Sequence, residues 1–312
     1  MAMNVSLTVM DDEPNDHNDT GTDLSYESPA EMLHYDLEYI IAVAFTLATC
    51  CTGLVGNGIV IRLLGFHIKR NPYTTYILTL AVFDFGFLTS LAIYYIFFST
   101  FIPSLYINDD NLHFIFLRFS WCTYISSELL LTAISIDRCV SILFPIWHRC
   151  HRPTNLSITV CVLISVFSFL ISVIPLTPMT TINYPFFISA LLCLPLMTIS
   201  TVIILIKVCF KSQQRQRGKL LMAVLLCLLF FLILGFPLTV IIVLDTSFRL
   251  WLSGTEKYFL FCASLNSSVN PVIYLLVGRK KGGRSRETMK AILQRVLKEG
   301  EEDGGQELDP PS

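Results

Sequence analysis

Two acidic side chains lie deep within long apolar stretches of this sequence, where an ionised group needs a partner. They are Asp84 and Glu128. Ser127, Asn266 and Asn270 could bring further oxygen atoms to Asp84 from other stretches, and hard oxygen ligands around one carboxylate suit a sodium ion. The same groups could instead form hydrogen bonds between helices. The sequence therefore predicts a buried polar site for which sodium is the candidate ligand, and no metal site beyond it.

A charged pair, Asp137-Arg138, closes another apolar stretch. Such a pair could act as a switch, or it could simply extend its charged ends to the water interface. Pro237 and Pro271 lie inside long apolar stretches, and a proline inside a helix removes a hydrogen bond and kinks the helix. Simple packing is the alternative explanation for both prolines. Two kinked helices beside a buried carboxylate favour a protein that changes shape.

Membrane helices are the elements that must position these groups. Only 15% of the 312 residues are charged, against about 25% in soluble domains, and the mean hydropathy is +0.62. A bilayer core about 30 Å thick requires roughly 20 apolar helical residues. The predicted fold class is therefore all-α, a seven-transmembrane helix bundle. The predicted spans are 39–64, 73–98, 112–143, 155–175, 186–209, 219–244 and 257–277.

The residues after the last span predict a short amphipathic helix on the membrane surface. Apolar residues recur there at helical spacing from Met289 to Leu297, and basic residues occupy the other face. The predicted divisions of the chain are an acidic N-terminal tail at 1–38, the helix bundle at 39–277, this cytoplasmic amphipathic helix at 278–298 and a disordered acidic tail at 299–312.

Charge placement predicts the orientation of the bundle. Residues 1–38 contain ten acidic residues and no Lys or Arg. If that end is extracellular, 19 of the 22 basic residues fall on the cytoplasmic side. Cytoplasmic segments carry an excess of Lys and Arg, so we expect an extracellular N-terminus and a cytoplasmic C-terminus. Asn4 and Asn18 begin sequons on the predicted outer side, where glycosylation is expected.

Motifs along these spans occur in one order that resembles the rhodopsin-like G-protein-coupled receptors over about residues 38–298. They are Gly56-Asn57, Leu80-Ala81-x-x-Asp84, Asp137-Arg138-Cys139, Pro195, Phe231 with Pro237, and Asn270-Pro271-Val-Ile-Tyr274. The stretches Thr132–Pro153 and Thr288–Lys298 are similar to the Mas-related receptors within that class. So is Gly235, which stands where most such receptors carry a tryptophan.

The resemblance implies a multi-pass receptor of the plasma membrane, and not an enzyme, that converts the binding of an extracellular ligand into activation of a heterotrimeric G protein. Besides these two partners we expect membrane lipid and no nucleic acid. A sodium ion at Asp84, Ser127, Asn266 and Asn270 would be an allosteric ligand, and no other cofactor is expected. Arg138, Pro145 and Ile146 would contact the G protein. The implied activation switch comprises Asp137, Arg138, Phe231, Gly235, Pro237, Asn270, Pro271 and Tyr274.

A ligand pocket is predicted only from position in the outer half of the spans. The resemblance suggests a peptide or small molecule, such as a basic peptide or an amphipathic cation. Asp245 is the candidate counter-ion for such a ligand, although an acid exposed at the water interface is the alternative. The candidate pocket residues are Tyr94, Tyr95, Phe119, Ser120, Asp245 and Tyr258.

Departures from the receptor pattern leave two alternatives open. Only nine residues separate Pro175 from Pro185, which is short for this family's second outer loop, so a non-signalling or decoy receptor is one alternative. Asp84, Glu128 and the asparagines could relay a cation, so a cation-coupled transporter is another. The inner end of the sixth span, 215–219, is basic where many relatives carry an acid that holds the switch arginine. We therefore hypothesise raised basal signalling.

Overall fold

The computed structural model describes residues 29–97, 110–153, 155–173, 184–210, 219–248, 256–279 and 288–305. The predicted glycosylation sites Asn4 and Asn18, most of the segment between Pro175 and Pro185, and the basic residues 215–217 lie outside these ranges. The chain divides into two compact units, 1–38 and 39–312. The described residues of the first, 29–38, are helical.

Every element in the described ranges is a helix, in agreement with the predicted all-α class. The helices are α1 (Pro29–Phe66), α2 (Pro72–Ile96), α3 (Asp110–Leu143), α4 (Pro145–Cys150), α5 (Leu156–Val173), α6 (Tyr184–Phe210), α7 (Lys219–Phe230), α8 (Phe236–Phe248), α9 (Glu256–Gly278) and α10 (Met289–Gly305). A π-helical turn, Phe231–Gly235, joins α7 to α8, so these three elements form the sixth predicted span.

Five helical stretches in the described part of the chain are long and apolar enough to cross a membrane. They are Leu37–Phe66, Pro72–Ile96, Ala190–Lys207, Lys219–Ile241 and Lys257–Gly278. The remaining two predicted spans are α3, whose charged residues lower its hydropathy, and α5, whose apolar stretch Leu156–Leu170 is shorter. With 34 residues, α3 is about 50 Å long, and it packs against α2, α5, α6 and α7. The predicted seven-helix bundle is confirmed.

The outward surface of the bundle is apolar. Phe45, Leu163, Leu191 and Leu276 are exposed large side chains on four different helices. A water-facing protein of this size rarely exposes so much contiguous apolar surface, whereas lipid requires it. Polar residues such as Asp84 are buried inside, among apolar clusters, rather than on this surface.

The first and last spans meet through a glycine. A β-carbon on Gly53 would overlap the side chains of Ser268 and Leu88, so the close approach of α1 to α9 requires a residue without a side chain. Ser268 donates its hydroxyl to the carbonyl of Thr49 at 2.9 Å, and Asn57 donates to the carbonyl of Ser267 at 3.0 Å. These bonds fix α9 against α1.

A capping box starts α2. The side chain of Asn71 accepts from the backbone N–H of Thr74 at 2.7 Å, and the Thr74 hydroxyl accepts from the Asn71 N–H at 2.7 Å. Pro72 occupies the first helical turn, where its fixed φ favours the helix and its missing N–H costs nothing. The box therefore holds Tyr73 in the first turn of α2, at the predicted cytoplasmic end.

The tail helix α10 is amphipathic, as its spacing predicts, but its bounds differ from the prediction. It begins at Met289 and continues to Gly305, past the predicted end at 298. Ile292, Leu293, Val296 and Leu297 are buried, and α10 contacts α9, α7 and α2. Arg295 donates to the carbonyl of Gly278 at 2.8 Å, which satisfies a carbonyl that the end of α9 leaves without an intrahelical partner.

Candidate functional site

Asp84 lies at the centre of a polar cluster between α2, α3 and α9. Its side chain is 1% exposed. Ser127 donates to its Oδ1 at 3.1 Å, and Asn270 donates to its Oδ2 at 2.8 Å. The structure therefore brings together Asp84, Ser127 and Asn270, as the sequence predicts.

Two amide oxygens in this region lack partners. Among the described residues, Oδ1 of Asn266 and Oδ1 of Asn270 are buried and accept no hydrogen bond. An unpaired buried acceptor is costly, and a carboxylate with free amide and hydroxyl oxygens is the donor set that a sodium ion uses. The predicted residues thus fit the ion chemically. Asn57 instead uses its amide to bind the backbones of α1 and α9.

The second part of the candidate site is a charged cluster near the C-terminal end of α3, around Asp137 and Arg138. Both side chains are nearly buried, and Arg138 donates to Asp137 Oδ2 at 3.0 Å. The guanidinium of Arg138 stacks on the ring of Tyr73, 3.7 Å from the ring centroid. A cation over an aromatic face gains most when it is shielded from water, so Tyr73 stabilises Arg138 in this inward position.

Arg152, which follows α4, also binds Asp137. Its Nη2 forms an ion pair with Asp137 Oδ1 at 2.8 Å and donates to the hydroxyl of Ser157 at 2.9 Å. Asp137 therefore joins α3 to the segment between α4 and α5, in addition to pairing with its neighbour Arg138.

His148 of α4 approaches the same carboxylate without a good hydrogen bond. Its Nε2 lies 3.5 Å from Asp137 Oδ1, and within the described ranges this nitrogen has no hydrogen-bond partner. Burial lowers the pKa of His148 and outweighs the attraction of Asp137, while Arg152 and Arg138 lower it further. His148 therefore tends to be neutral beside two arginines.

The sixth span contains the irregular backbone of the predicted switch. The π-helical turn runs from Phe231 to Gly235 and is followed directly by Pro237, which has no N–H to donate. A β-carbon on Gly235 would lie 2.8 Å from Phe231 and 3.2 Å from the amide of Asn266. Phe231 and Asn266 therefore pack into the space that a side chain at position 235 would need.

Two polar contacts that sequence reasoning missed join α3 to this irregular region. The hydroxyl of Tyr124 donates to the carbonyl of Gly235. The hydroxyl of Thr239 donates to Oε1 of Glu128 at 2.6 Å. Glu128 therefore faces α8, and its carboxyl belongs to a contact separate from that of Asp84.

The remaining switch residues lie in α9. Pro271 is buried, and its ring packs where Gly56 leaves space, because a β-carbon on Gly56 would lie 3.1 Å from Pro271. Tyr274 is buried in the large apolar cluster of the inner half. Cys227 of α7 belongs to the same cluster. The predicted relay from Asn270 to Tyr274 is thus packed against both α1 and α7.

The predicted G-protein contacts differ in exposure. Arg138 is buried, whereas Pro145 and Ile146 in α4 are exposed, Ile146 to 78%. Phe144 and Trp147 beside them are exposed apolar residues as well. An apolar patch of this kind favours a docking surface.

The candidate ligand-pocket residues lie in different environments. Tyr95 is buried and contacts the ring of Tyr94 edge to face at 5.4 Å. Ser120 donates to the hydroxyl of Ser90 in α2, so its hydroxyl serves helix packing. Phe119 and Tyr258 are exposed, the latter 5.3 Å from the ammonium of Lys257, and Asp245 lies in α8.

Comparison with known proteins agrees with this architecture. Residues 56–185 match the family described as 7 transmembrane receptor (rhodopsin family). The chain is 36% identical over 296 residues to Mas-related G-protein coupled receptor member D of Homo sapiens, covering 86% of this chain and 88% of that relative. It is 34% identical over 290 residues to member A8 of Mus musculus (85% and 91%) and 32% identical over 301 residues to member X1 of Homo sapiens (86% and 88%).

The fold, the ordered motifs and these matches define a seven-transmembrane receptor of the rhodopsin family, a multi-pass membrane protein. Within that class the chain belongs to the Mas-related G-protein-coupled receptors. The predicted resemblance is therefore confirmed. The relatives are receptors rather than enzymes. The comparisons therefore favour a receptor over a cation-coupled transporter.

Proposed function

We propose that this chain is a plasma-membrane receptor with its N-terminus outside, which converts binding of an extracellular basic peptide or amphipathic cation into activation of a heterotrimeric G protein. The observation that carries the proposal is the inward position of Arg138. Asp137 and Tyr73 hold this arginine away from the surface, while Ile146 in α4 is exposed. A receptor that releases Arg138 would complete a binding surface for the G protein.

Ligand binding outside can favour this release only if the ligand binds the open form more tightly than the closed form. The outer halves of α2 and α3 offer aromatic rings for a cation: Tyr94, Tyr95 and Trp121 pack in or against the outer apolar cluster. Aromatic faces attract organic cations, which supports the proposed ligand class. Asp245 remains the candidate counter-ion.

Asp84, Ser127, Asn266 and Asn270 would hold a sodium ion, which would supply a positive charge that stabilises the ionised carboxyl. The two unpartnered amide oxygens support this assignment. Because Asp84 joins α2, α3 and α9 through its present bonds, its environment would favour the closed arrangement of these helices.

A cell-based assay tests the proposal. The wild-type chain and Arg138→Ala would be expressed with surface display measured by an N-terminal epitope tag on unpermeabilised cells, which also tests the orientation. Dissociation of a panel of tagged G proteins would be followed without ligand and with a series of basic peptides and amphipathic amines.

Signal above mock-transfected cells that Arg138→Ala abolishes would support the proposal. A wild-type chain that reaches the surface but stays silent, with and without ligands and across the whole panel of G proteins, would favour a non-signalling or decoy receptor instead. Asp245→Asn then tests the ligand class, because loss of a cationic ligand's potency with unchanged basal signal is expected if Asp245 is the counter-ion.

A further inference from the structure

Tyr124, Glu128, Gly235 and Thr239 form a polar cluster between α3 and the sixth span, named here the clasp. Tyr124 and Glu128 lie one turn apart on α3, and Gly235 and Thr239 lie one turn apart across Pro237. Tyr124 donates to the Gly235 carbonyl, and Thr239 donates to Glu128 at 2.6 Å. The two bonds therefore join α3 to the sixth span about one helical turn apart.

The clasp is isolated from water. Tyr124 is 2% exposed, Glu128 1% and Thr239 0%. Polar side chains at this depth are costly unless they are paired, and apolar side chains of the same size would pack here without that cost. Hydrogen bonds differ from apolar packing because they fix one relative position of the two helices. The clasp therefore specifies the position of the sixth span against α3.

The backbone on the far side of the clasp is the least regular part of the bundle core that the structure describes. It is the π-helical turn Phe231–Gly235 followed by Pro237. Gly235 has no side chain, and Phe231 and Asn266 occupy the space that its β-carbon would take. At this level the sixth span is held by its backbone carbonyl and by Thr239.

The near side of the clasp is connected to the outer half of the receptor. The ring of Tyr124 packs on Phe87 at 5.3 Å and lies edge to face against Trp121 at 6.5 Å. Both neighbours belong to the outer apolar cluster, in which Tyr94 and Tyr95 also pack. A ligand that displaces these aromatic rings would move Tyr124 and strain its bond to Gly235.

We propose that the clasp is the contact through which an outer ligand releases the sixth span, in place of a side chain at Gly235. Tyr124 and Thr239 are then positioning residues that keep the bundle in its closed form, Tyr124 by donating to the Gly235 carbonyl and Thr239 by donating to Glu128. The proposal rests on the proposed receptor function. Loss of either hydroxyl should free the sixth span and raise signalling in the absence of ligand.

The test compares the wild type with Tyr124→Phe and Thr239→Val. The matched control is Thr201→Val, since Thr201 is also a buried threonine but donates within its own helix, to the Met197 carbonyl at 2.7 Å. Two properties would be measured on full-length protein in lipid nanodiscs: amide hydrogen exchange of residues 231–241, and ligand-free nucleotide exchange on a panel of purified G proteins.

We expect Tyr124→Phe and Thr239→Val to raise both rates about five-fold, as loss of one buried hydrogen bond implies, with Thr201→Val within two-fold of wild type. Unchanged amide exchange in Tyr124→Phe and Thr239→Val would overturn the clasp. If Tyr124→Phe fails to fold, Thr239→Val, which keeps the shape of the side chain, decides alone.

The two measurements separate the clasp from the receptor function on which it rests. Faster amide exchange with no nucleotide exchange in any variant would support the clasp as a restraint and count against G-protein coupling. Faster amide exchange with wild-type-level nucleotide exchange in a coupling receptor would overturn the clasp as a transmission contact.

Discussion

The guanidinium of Arg138 stacks 3.7 Å from the ring centroid of Tyr73, a residue of the first turn of α2. The capping box of Asn71 and Thr74 fixes this turn, so the ring is held rigidly beneath the arginine. The rhodopsin-like pattern leads one to expect an acid of the sixth span as the restraint on this arginine. Here the described partners of Arg138 are Tyr73 of α2 and Asp137 of α3, and Arg152 after α4 binds the same Asp137.

Replacing Tyr73 with Leu should raise basal signalling. A cation–π contact to a half-buried ring such as that of Tyr73 contributes roughly 1 kcal/mol, so its loss would shift the closed-to-open ratio about five-fold. Tyr73→Phe is the matched control, because it keeps the ring and loses only the hydroxyl. Ligand-free G-protein dissociation at equal surface expression measures the effect. A Leu variant that behaves as the Phe variant does would show that the ring does not restrain Arg138.

Arg152→Gln should raise basal signalling as well. The change removes the 2.8 Å bond to Asp137 and the bond to Ser157, so Asp137 no longer ties α3 to the segment that precedes α5. Arg62→Gln is the control, since Arg62 is an exposed arginine of α1. Both variants would be compared in the same assay. An equal response of the two would assign the effect to lost surface charge rather than to the Asp137 bond.

The hypothesis of raised basal signalling in the wild type rests only on the basic residues at the start of the sixth span. The contacts of Tyr73 with Arg138 and of Arg152 with Asp137 oppose such signalling. Basal output of the wild type is therefore expected to lie below that of Tyr73→Leu and Arg152→Gln.

Acid should destabilise the folded receptor through His148. Its pKa is lowered by burial and by the two arginines, so the unfolded chain binds the proton more readily than the folded chain does. The contribution of His148 to stability is therefore fully present above about pH 6.5, the ordinary pKa of histidine. It is lost as the pH falls below that value toward the lowered pKa of the folded state.

Thermal unfolding at pH 7.5 and 5.5 measures this effect in the wild type and in His148→Gln. The melting temperature of the wild type should fall more between these two values than that of the variant, because a glutamine side chain binds no proton in this range. Equal falls would mean that His148 does not contribute to the acid sensitivity.

The helices and the candidate site differ in how far sequence could predict them. Spans such as α2 and α9 are long apolar stretches, and hydropathy alone locates them within a few residues. The bonds of Asp84 to Ser127 and Asn270 also follow, because few polar partners are available at that depth. The motifs of the rhodopsin-like pattern supply the rest of that site.

The sequence does not predict which residues contact Asp137 and Arg138 at the C-terminal end of α3. Arg152 is one of several basic residues near α4, and the amino-acid sequence does not show which of them pairs with Asp137. Tyr73 is one of 12 tyrosines and is distant from Arg138 along the chain. The π-helical turn before Pro237 likewise depends on how Tyr124 and Phe231 pack around Gly235, which is decided by tertiary contacts rather than local propensity.

Sodium should stabilise the receptor through Asp84, and Asp84→Asn should abolish the effect. A ligand that binds only the folded state at ten times its dissociation constant adds about 1.4 kcal/mol to stability. The melting temperature of the wild type should therefore rise with sodium chloride when choline chloride keeps ionic strength constant. Asp84→Asn removes the charge that attracts the ion, while Asn270 can still bond to the new side chain, so its melting temperature should not respond.

Glu128→Gln is the control that decides between the two buried carboxyls. Glu128 accepts from Thr239 at 2.6 Å, whereas the unpartnered oxygens belong to Asn266 and Asn270, the latter bonded to Asp84. The sodium response should therefore persist in Glu128→Gln. If the sodium response were lost in Glu128→Gln but kept in Asp84→Asn, the ion would have to bind at the clasp rather than at Asp84. In that case the ion, rather than the Tyr124 hydroxyl, would be the link between α3 and the sixth span.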